Sequence, residues 1–186
     1  MPLTKTIFRS NCIKKIKESA NKNKYYKDSI LNKKLIKELE KFKNQNILVY
    51  FPLAFEADIR KTINRFRKKN NLFLPFMLDE SFKMVPFRLP LQRKKFGIYE
   101  AGNSLRNIRK IDIVIVPIVG IDGSLQRVGF GKGMYDRFFA KLKKKPYTIF
   151  VQSEICKTKE FICDDFDISC DILITPQKII KNKIRK

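Results

Sequence analysis

Ile111-Asp112-Ile113-Val114-Ile115-Val116, stopped by Pro117, is almost continuous in β-branched apolar residues. A strand with one wet face alternates apolar and polar side chains. A strand without that alternation is covered on both faces, the usual condition of a parallel strand inside an α/β sheet. The reading of the chain works outward from this segment.

On its N-terminal side lie three stretches of helical period. Lys5–Ala20 carries Ile7, Phe8, Cys12, Ile13 and Ile16; Ile30–Phe42 carries Leu31, Leu35, Ile36, Leu39 and Phe42; Glu56–Lys69 carries Ile59, Ile63 and Phe66. Between them Ile47–Phe51 reads as a strand ended by Pro52, and Leu72–Met77 and Phe82–Phe87 as strands interrupted by Pro75 and Pro86. Arg88–Lys110 is an irregular connection containing Gly97 and Gly102. On the C-terminal side, Ile118–Val128 has Asp122-Gly123 at its centre, a hairpin signal. Tyr135–Lys144 is helical, and Tyr147–Val151 and Asp171–Thr175 are strands. Strands separated by helices predict one α/β domain over residues 1–186: a mixed, mostly parallel sheet flanked by helices on both faces, a Rossmann-like three-layer arrangement. Ligands of such sheets sit beyond the carboxyl ends of the strands, so the segment after Val116 is where a site is expected.

Composition narrows the chemistry. The 186 residues hold 41 Lys+Arg against 18 Asp+Glu, a net charge of +23, and 44% are hydrophobic, enough to close a core and too many for a disordered basic tail. The absence of histidine excludes a Ser-His-Asp triad, a Cys-His nucleophile and His-ligated zinc. Cys12, Cys156, Cys163 and Cys170 form no Cys-x-x-Cys pair and are expected to be buried or incidental thiols in a reducing cytosol. No apolar run approaches the roughly 18–20 residues of a membrane span, and no charged-then-apolar leader opens the chain, so a cytoplasmic protein is expected. The positive charge invites a nucleic-acid reading. Yet the lysines are spread through Lys14–Lys24, Lys33–Lys43, Arg60–Lys69, Lys141–Lys145 and Lys178–Lys186, a distribution that suits solvated surface better than a binding stripe.

All 7 glycines fall between Gly97 and Gly133, and three alternate in Gly129-Phe130-Gly131-Lys132-Gly133, directly before the helix that begins near Met134-Tyr135. Glycine lets backbone N–H groups approach a ligand, and Arg127 and Lys132 add charge, so the loop suits polyphosphate. A tight structural turn is the alternative. The loop is neither a Walker A sequence nor a Rossmann dinucleotide fingerprint. Asp136 falls in the first helical turn, where a carboxylate caps the helix or holds Mg²⁺.

Taken whole, Val116-Pro117…Asp122…Arg127-Val128-Gly129-Phe130-Gly131-Lys132-Gly133-Met134-Tyr135-Asp136-Arg137-Phe138 resembles the signature of the 5-formyltetrahydrofolate cyclo-ligase (methenyltetrahydrofolate synthetase) family. Further resemblance lies in Lys5 and Arg9 on the first helix, Phe51…Glu56 after the first strand, Leu74-Pro75, Met84, Phe96-Gly97-Ile98-Tyr99-Glu100, and Asp167…Asp171-Ile172-Leu173-Ile174-Thr175. The chain departs from the family pattern at Phe130, Met134, Ala101 and Ile59, and Thr148–Phe166 is shorter than usual.

The resemblance implies the cyclo-ligase fold and an ATP- and Mg²⁺-dependent cyclisation of 5-formyltetrahydrofolate to 5,10-methenyltetrahydrofolate, releasing ADP and phosphate. The γ-phosphoryl group is transferred to the formyl oxygen, N10 attacks the activated carbon, and phosphate leaves. By position, Lys5, Arg9, Arg127, Val128, Gly129, Phe130, Gly131, Lys132, Gly133, Met134 and Tyr135 are expected to hold ATP, with Lys132 and Arg127 catalytic. Phe51, Glu56, Phe130, Gly131, Lys132, Gly133 and Met134 are expected to line the folate site, and Asp136 and Asp167 to hold Mg²⁺. The expected partners are folate and ATP, for a monomer without an obligate protein partner. The alternatives are an inactive folate- or nucleotide-binding relative and a basic nucleic-acid-binding protein.

Overall fold

The computed structural model describes residues 2–94, 97–105, 108 and 110–183. Phe96, part of one family-like element, lies outside the described residues, as do the last three residues of the Lys178–Lys186 run. Helix α1 (Lys5–Ala20) has the predicted bounds and is capped by Thr4, whose hydroxyl accepts from the Ile7 N–H at 3.3 Å. Helix α2 (Lys24–Leu39) starts before the apolar period does. Its first turn is held by polar contacts instead: Lys24 Nζ donates to Asp28 and to the Glu56 carbonyl, at 2.9 and 2.6 Å, while Tyr25 and Tyr26 face solvent. Strand β1 (Asn46–Leu48) is followed by a loop and then α3 (Arg60–Phe66). This helix begins later than the periodicity predicts, because Ile59 is fully buried as a loop residue and mimics a helical contact. Glu56 therefore lies in the loop, not at a helix start.

Strands β2 (Asn71–Met77) and β3 (Phe82–Pro86) pair antiparallel. The Phe87 N–H bonds the Leu72 carbonyl and the Leu78 N–H the Ser81 carbonyl, which fixes the alternation of the ladder. Pro75 and Pro86 fall at the non-bonded pairs between, so neither interrupts its strand. Two short ribbons follow the pattern of long loops: β4 (Gln92–Arg93) with β5 (Tyr99–Glu100), and, after β6 (Ile113–Pro117), β7 (Gly120–Ile121) with β8 (Arg127–Val128). In the second ribbon Asp122 Oδ1 accepts from the Ser124 and Gln126 N–H groups, and the turn residue with positive φ is Leu125, not Gly123. The short helix α4 (Met134–Ala140), β9 (Tyr147–Val151), β10 (Ile172–Ile174) and β11 (Ile179–Lys181) complete the described elements. Strand β11 was not expected. It is a lysine-flanked edge strand, a composition that protects an open edge and reads in sequence as a charge run.

The seven-stranded sheet has the order β11-β10-β9-β6-β1-β2-β3. The five inner strands are parallel, and β3 and β11 are antiparallel edges. Both faces are covered, as the unbroken apolar run requires. Ile113 and Ile115 point to the side packed by Leu31, Leu35 and Leu39 of α2 and by Ile63 and Phe66 of α3. Val114 and Val116 point to the side packed by Phe138 and Phe139 of α4. Helix α1 packs instead on the β7–β8 ribbon, with Phe8, Cys12 and Ile16 against Val119 and Val128.

Cys12 and Cys156 form a disulfide, with Cα atoms 5.7 Å apart, while Cys163 and Cys170 are free thiols. This corrects the expectation of four incidental thiols. The paired cysteines are 144 residues apart and meet only because α1 packs on that ribbon, so no local spacing betrays them. Among the described residues no helix is long and apolar enough to cross a membrane.

Candidate active site

Strands β1 and β6 are neighbours, yet the chain leaves β1 towards β2 on one side and β6 towards β9 on the other. Beyond their carboxyl ends opens a crevice, the topological switch point of the sheet. It holds a cavity of about 650 Å³. Phe51 and Glu56 enter it from the β1 end, Met77 and Phe82 from the β2–β3 hairpin, and Tyr99 and Glu100 from β5. The opposite wall is Arg127, Phe130 and Lys132 to Tyr135. The aromatic lining is mutually braced: Phe51 tilts against Tyr99 at 5.1 Å and Phe82 meets Tyr135 edge-on at 5.1 Å.

Glycine is required along that wall. Gly131 and Gly133 have φ of +95° and +60°, the left-handed region that costs an L side chain strain. At Gly129 the constraint is space, since a Cβ there would lie 2.7 Å from Arg127 Nη1. Arg9 clips α1 to the same loop, its Nε donating to the Gly129 carbonyl at 2.8 Å. Lys132 is exposed at the cavity, and its own carbonyl accepts from Arg137 Nη2 at 2.5 Å. Phe130 is half-exposed and packs edge-on to Phe55 at 5.4 Å.

The charges of the site are paired across segments. Arg127 donates to Asp136 at 2.5 Å, both side chains being largely buried, and lies over the Tyr135 ring at 5.4 Å. Asp136 does not cap α4, whose N-terminus carries no side-chain cap. Its other oxygen accepts at 3.4 Å from the N–H of Ile168, the residue after Asp167. Lys5 bonds Asp164 at 2.9 Å and also Asp167, which in turn accepts from the Asp164 N–H at 2.7 Å. Burial opposes the Lys5 charge, but the bonds to Asp167 and Asp164 outweigh it and hold its pKa above the ordinary value.

Glu56 shows the reverse balance. Burial pushes its carboxyl up to about 7, against the Leu53 N–H that bonds it at 2.9 Å and the charge of Lys24. Burial also raises the Tyr135 phenol, aided by Glu56 and opposed by Arg127.

Among the described residues there is no group of three or more His, Cys, Asp or Glu side chains placed to hold a metal. Mg²⁺ does not need one: it takes one or two carboxylates and fills its octahedron with phosphate oxygens and water. Asp136 and Asp167 fit that donor set in type: Asp136 accepts from the Ile168 N–H, next to Asp167 in the chain, and each already has a cation on it.

Of the residues singled out in the sequence, Phe51, Glu56, Arg127, Phe130, Lys132, Gly133, Met134 and Tyr135 line one cavity. Lys5, Arg9, Gly129, Gly131, Asp136 and Asp167 are not among the residues lining it. Of these, Lys5 pairs with Asp167, Arg9 bonds the Gly129 carbonyl, and Asp136 pairs with Arg127. Val128 faces away, buried against α1. Sequence reading placed Tyr99 and Glu100 in a family-like element but gave them no role, since β5 is two residues long and no periodicity marks it.

The model of the 5-formyltetrahydrofolate cyclo-ligase family matches residues 4–176. A probable 5-formyltetrahydrofolate cyclo-ligase of Schizosaccharomyces pombe is 29% identical over 171 residues, covering 80% of this chain and 84% of that one. The 5-formyltetrahydrofolate cyclo-ligase of Mycoplasma genitalium is 27% identical over 132 residues, 70% of this chain and 72% of its own length. In fold, the chain is similar to the 5,10-methenyltetrahydrofolate synthetase of Aquifex aeolicus, with a TM-score of 0.76 at 23% identity over 97% of this chain and 94% of that one. With a signature loop, a switch-point cavity and a family match over nearly its whole length, this chain belongs to the 5-formyltetrahydrofolate cyclo-ligase family.

Proposed function

We propose that the protein cyclises 5-formyltetrahydrofolate to 5,10-methenyltetrahydrofolate at the expense of ATP. The observation that carries this reading is the composition of one cavity: an apolar and aromatic floor, a half-buried carboxylate at Glu56, and the cations Arg127 and Lys132 on a glycine loop opposite. A flat ring with N–H donors suits the first two; a polyphosphate suits the third.

The reaction asks little covalent chemistry of the protein. The substrate's formyl oxygen takes the γ-phosphoryl group, N10 attacks the activated carbon, and phosphate departs as the ring closes. Catalysis is then alignment of two anionic molecules and stabilisation of charge in transfer, for which no imidazole is needed. Lys132, exposed at the cavity, neutralises charge on the moving phosphoryl group. Arg127 braces the loop from beneath and offers its guanidinium to the same charge. Lys5 and Arg9 reach the phosphates from α1, exchanging their present bonds to Asp167 and the Gly129 carbonyl. Mg²⁺ bound by Asp136 and Asp167 would supply further neutralisation of the phosphates. Phe51 contacts the pterin face, and Glu56 accepts from its N–H edge.

The test is turnover of 5-formyltetrahydrofolate with MgATP, followed by the near-UV absorbance of the methenyl product. Lys132→Ala is expected to lower kcat/KM by roughly 100-fold or more, with melting temperature unchanged because Lys132 is exposed. No product from folded wild-type protein defeats the proposal. Full activity in Lys132→Ala removes the role given to the loop. The nucleic-acid alternative makes the opposite forecast, a duplex affinity that falls steeply with salt and ignores Lys132.

A further inference from the structure

Glu100 is a charged residue on a two-residue strand, and it is only 4% exposed. The β4–β5 ribbon, with Gln92 opposite Glu100, carries it over the end of β2 and into the wall of the large cavity. Its hydrogen-bond partner among the described residues is the Met77 N–H, 3.2 Å from Oε1. No lysine or arginine among the described residues forms an ion pair with it; Lys94, which lines the same cavity, gives its ammonium to Gln92 at 2.8 Å. A carboxylate withdrawn from water with a single backbone donor is costly, and such groups persist where further donors arrive. Glu100 is also one of the residues that line the cavity.

We propose that Glu100 is a second substrate-reading residue, accepting a hydrogen bond from an N–H group of the reduced pterin ring while Glu56 engages another. This rests on the folate reading above and adds to it the manner of recognition. A tetrahydropterin carries N–H donors on more than one side of its ring system, so a single carboxylate reaches only part of them. Glu56 on the β1 loop and Glu100 on β5 enter the cavity from different elements, and the two together bracket a donor-rich ring. A ligand offering only acceptors at those positions sets its lone pairs against two carboxylates and is rejected.

Glu100→Gln keeps the length of the side chain and the carbonyl that accepts from Met77, and removes the charge. In the folded variant the Kd and KM for 5-formyltetrahydrofolate are expected to rise about 10- to 100-fold, the loss of one charge-assisted bond. The Kd for ATP should stay within about twofold. Calorimetric titration measures both affinities without turnover, and a melt shows that the variant is folded. Glu100→Asp, which keeps the charge but withdraws it, is expected to lose affinity in the same direction. Unchanged folate affinity in folded Glu100→Gln overturns the proposal. Unfolding of both variants assigns Glu100 to holding Met77 alone and overturns it too. Failure of the wild-type protein to bind 5-formyltetrahydrofolate instead defeats the folate reading, and the role of Glu100 with it.

Discussion

Burial governs the charge state of Glu56. Its carboxyl, ordinarily near 4.5, is raised to about 7 by burial. Below about pH 4.5 it is neutral in both folded and unfolded chains and costs nothing. Between 4.5 and 7 the unfolded chain ionises first, so this residue's contribution to stability is lost as pH rises through that window and is constant above it. Relative to Glu56→Gln, the wild type should therefore lose on the order of 1–3 kcal/mol between pH 4.5 and 7.5, measurable as converging or crossing denaturant midpoints. Ligand binding has the opposite sense. An N–H donor is accepted best by the ionised form, so folate affinity should rise from pH 6 to 8 in the wild type and stay flat in Glu56→Gln. Arg127 and Asp136 make a second forecast at this scale. Each is largely buried on the other, so Arg127→Met or Asp136→Asn alone strands a buried charge at a cost of about 3–5 kcal/mol, while the double variant costs less than the sum. A double-mutant cycle by urea unfolding reads the difference, and additivity would contradict the pairing.

Among the elements, α1 and β9 keep the bounds that periodicity predicts: α1 buries one apolar stripe on the β7–β8 ribbon, and β9 is an inner strand covered on both faces. Where polar contacts define an end, as with Lys24 on Asp28 and Glu56, the period says nothing and α2 begins earlier than its apolar stripe. The same limit hid parts of the site. Asp136 was legible as a helix cap or metal ligand, but its partner Arg127 comes across the glycine loop from β8. Glu100 was legible as part of a family-like element, but its place at the cavity and its bond with Met77 come only from β5 lying over β2. The disulfide joining α1 to the segment after β9 closes a loop of 144 residues, for which chain entropy gives a stabilisation of about 5 kcal/mol. Thiol titration of the denatured, unreduced protein should find two of the four cysteines, and reduction should lower the melting temperature. Four reactive thiols would contradict the bond. In the loop, Gly131→Ala should cost about 1 kcal/mol because its φ is +95°, and should lower kcat more than stability through displacement of Lys132.

Across the whole molecule, the alternation-free Ile111–Val116 run was sufficient to place a central parallel strand with helices on both sides, and that architecture located the cavity. The net charge of +23 was less informative, since most of it is scattered lysine rather than part of the crevice. The crevice owes its existence to an arrangement of strands that the chain completes late. Ile47 of β1 pairs with Ile113 of β6, and everything from α3 to the β4–β5 ribbon is threaded between them. A partly folded chain in which β1, α3, β2 and β3 have assembled from nearby contacts possesses one rim of the binding cleft and nothing facing it. Distant pairings form slowly because loop closure precedes their reward. Refolding should accordingly pass through species with native-like circular dichroism that retain no ligand, and the capacity to bind should return only in the slowest kinetic phase.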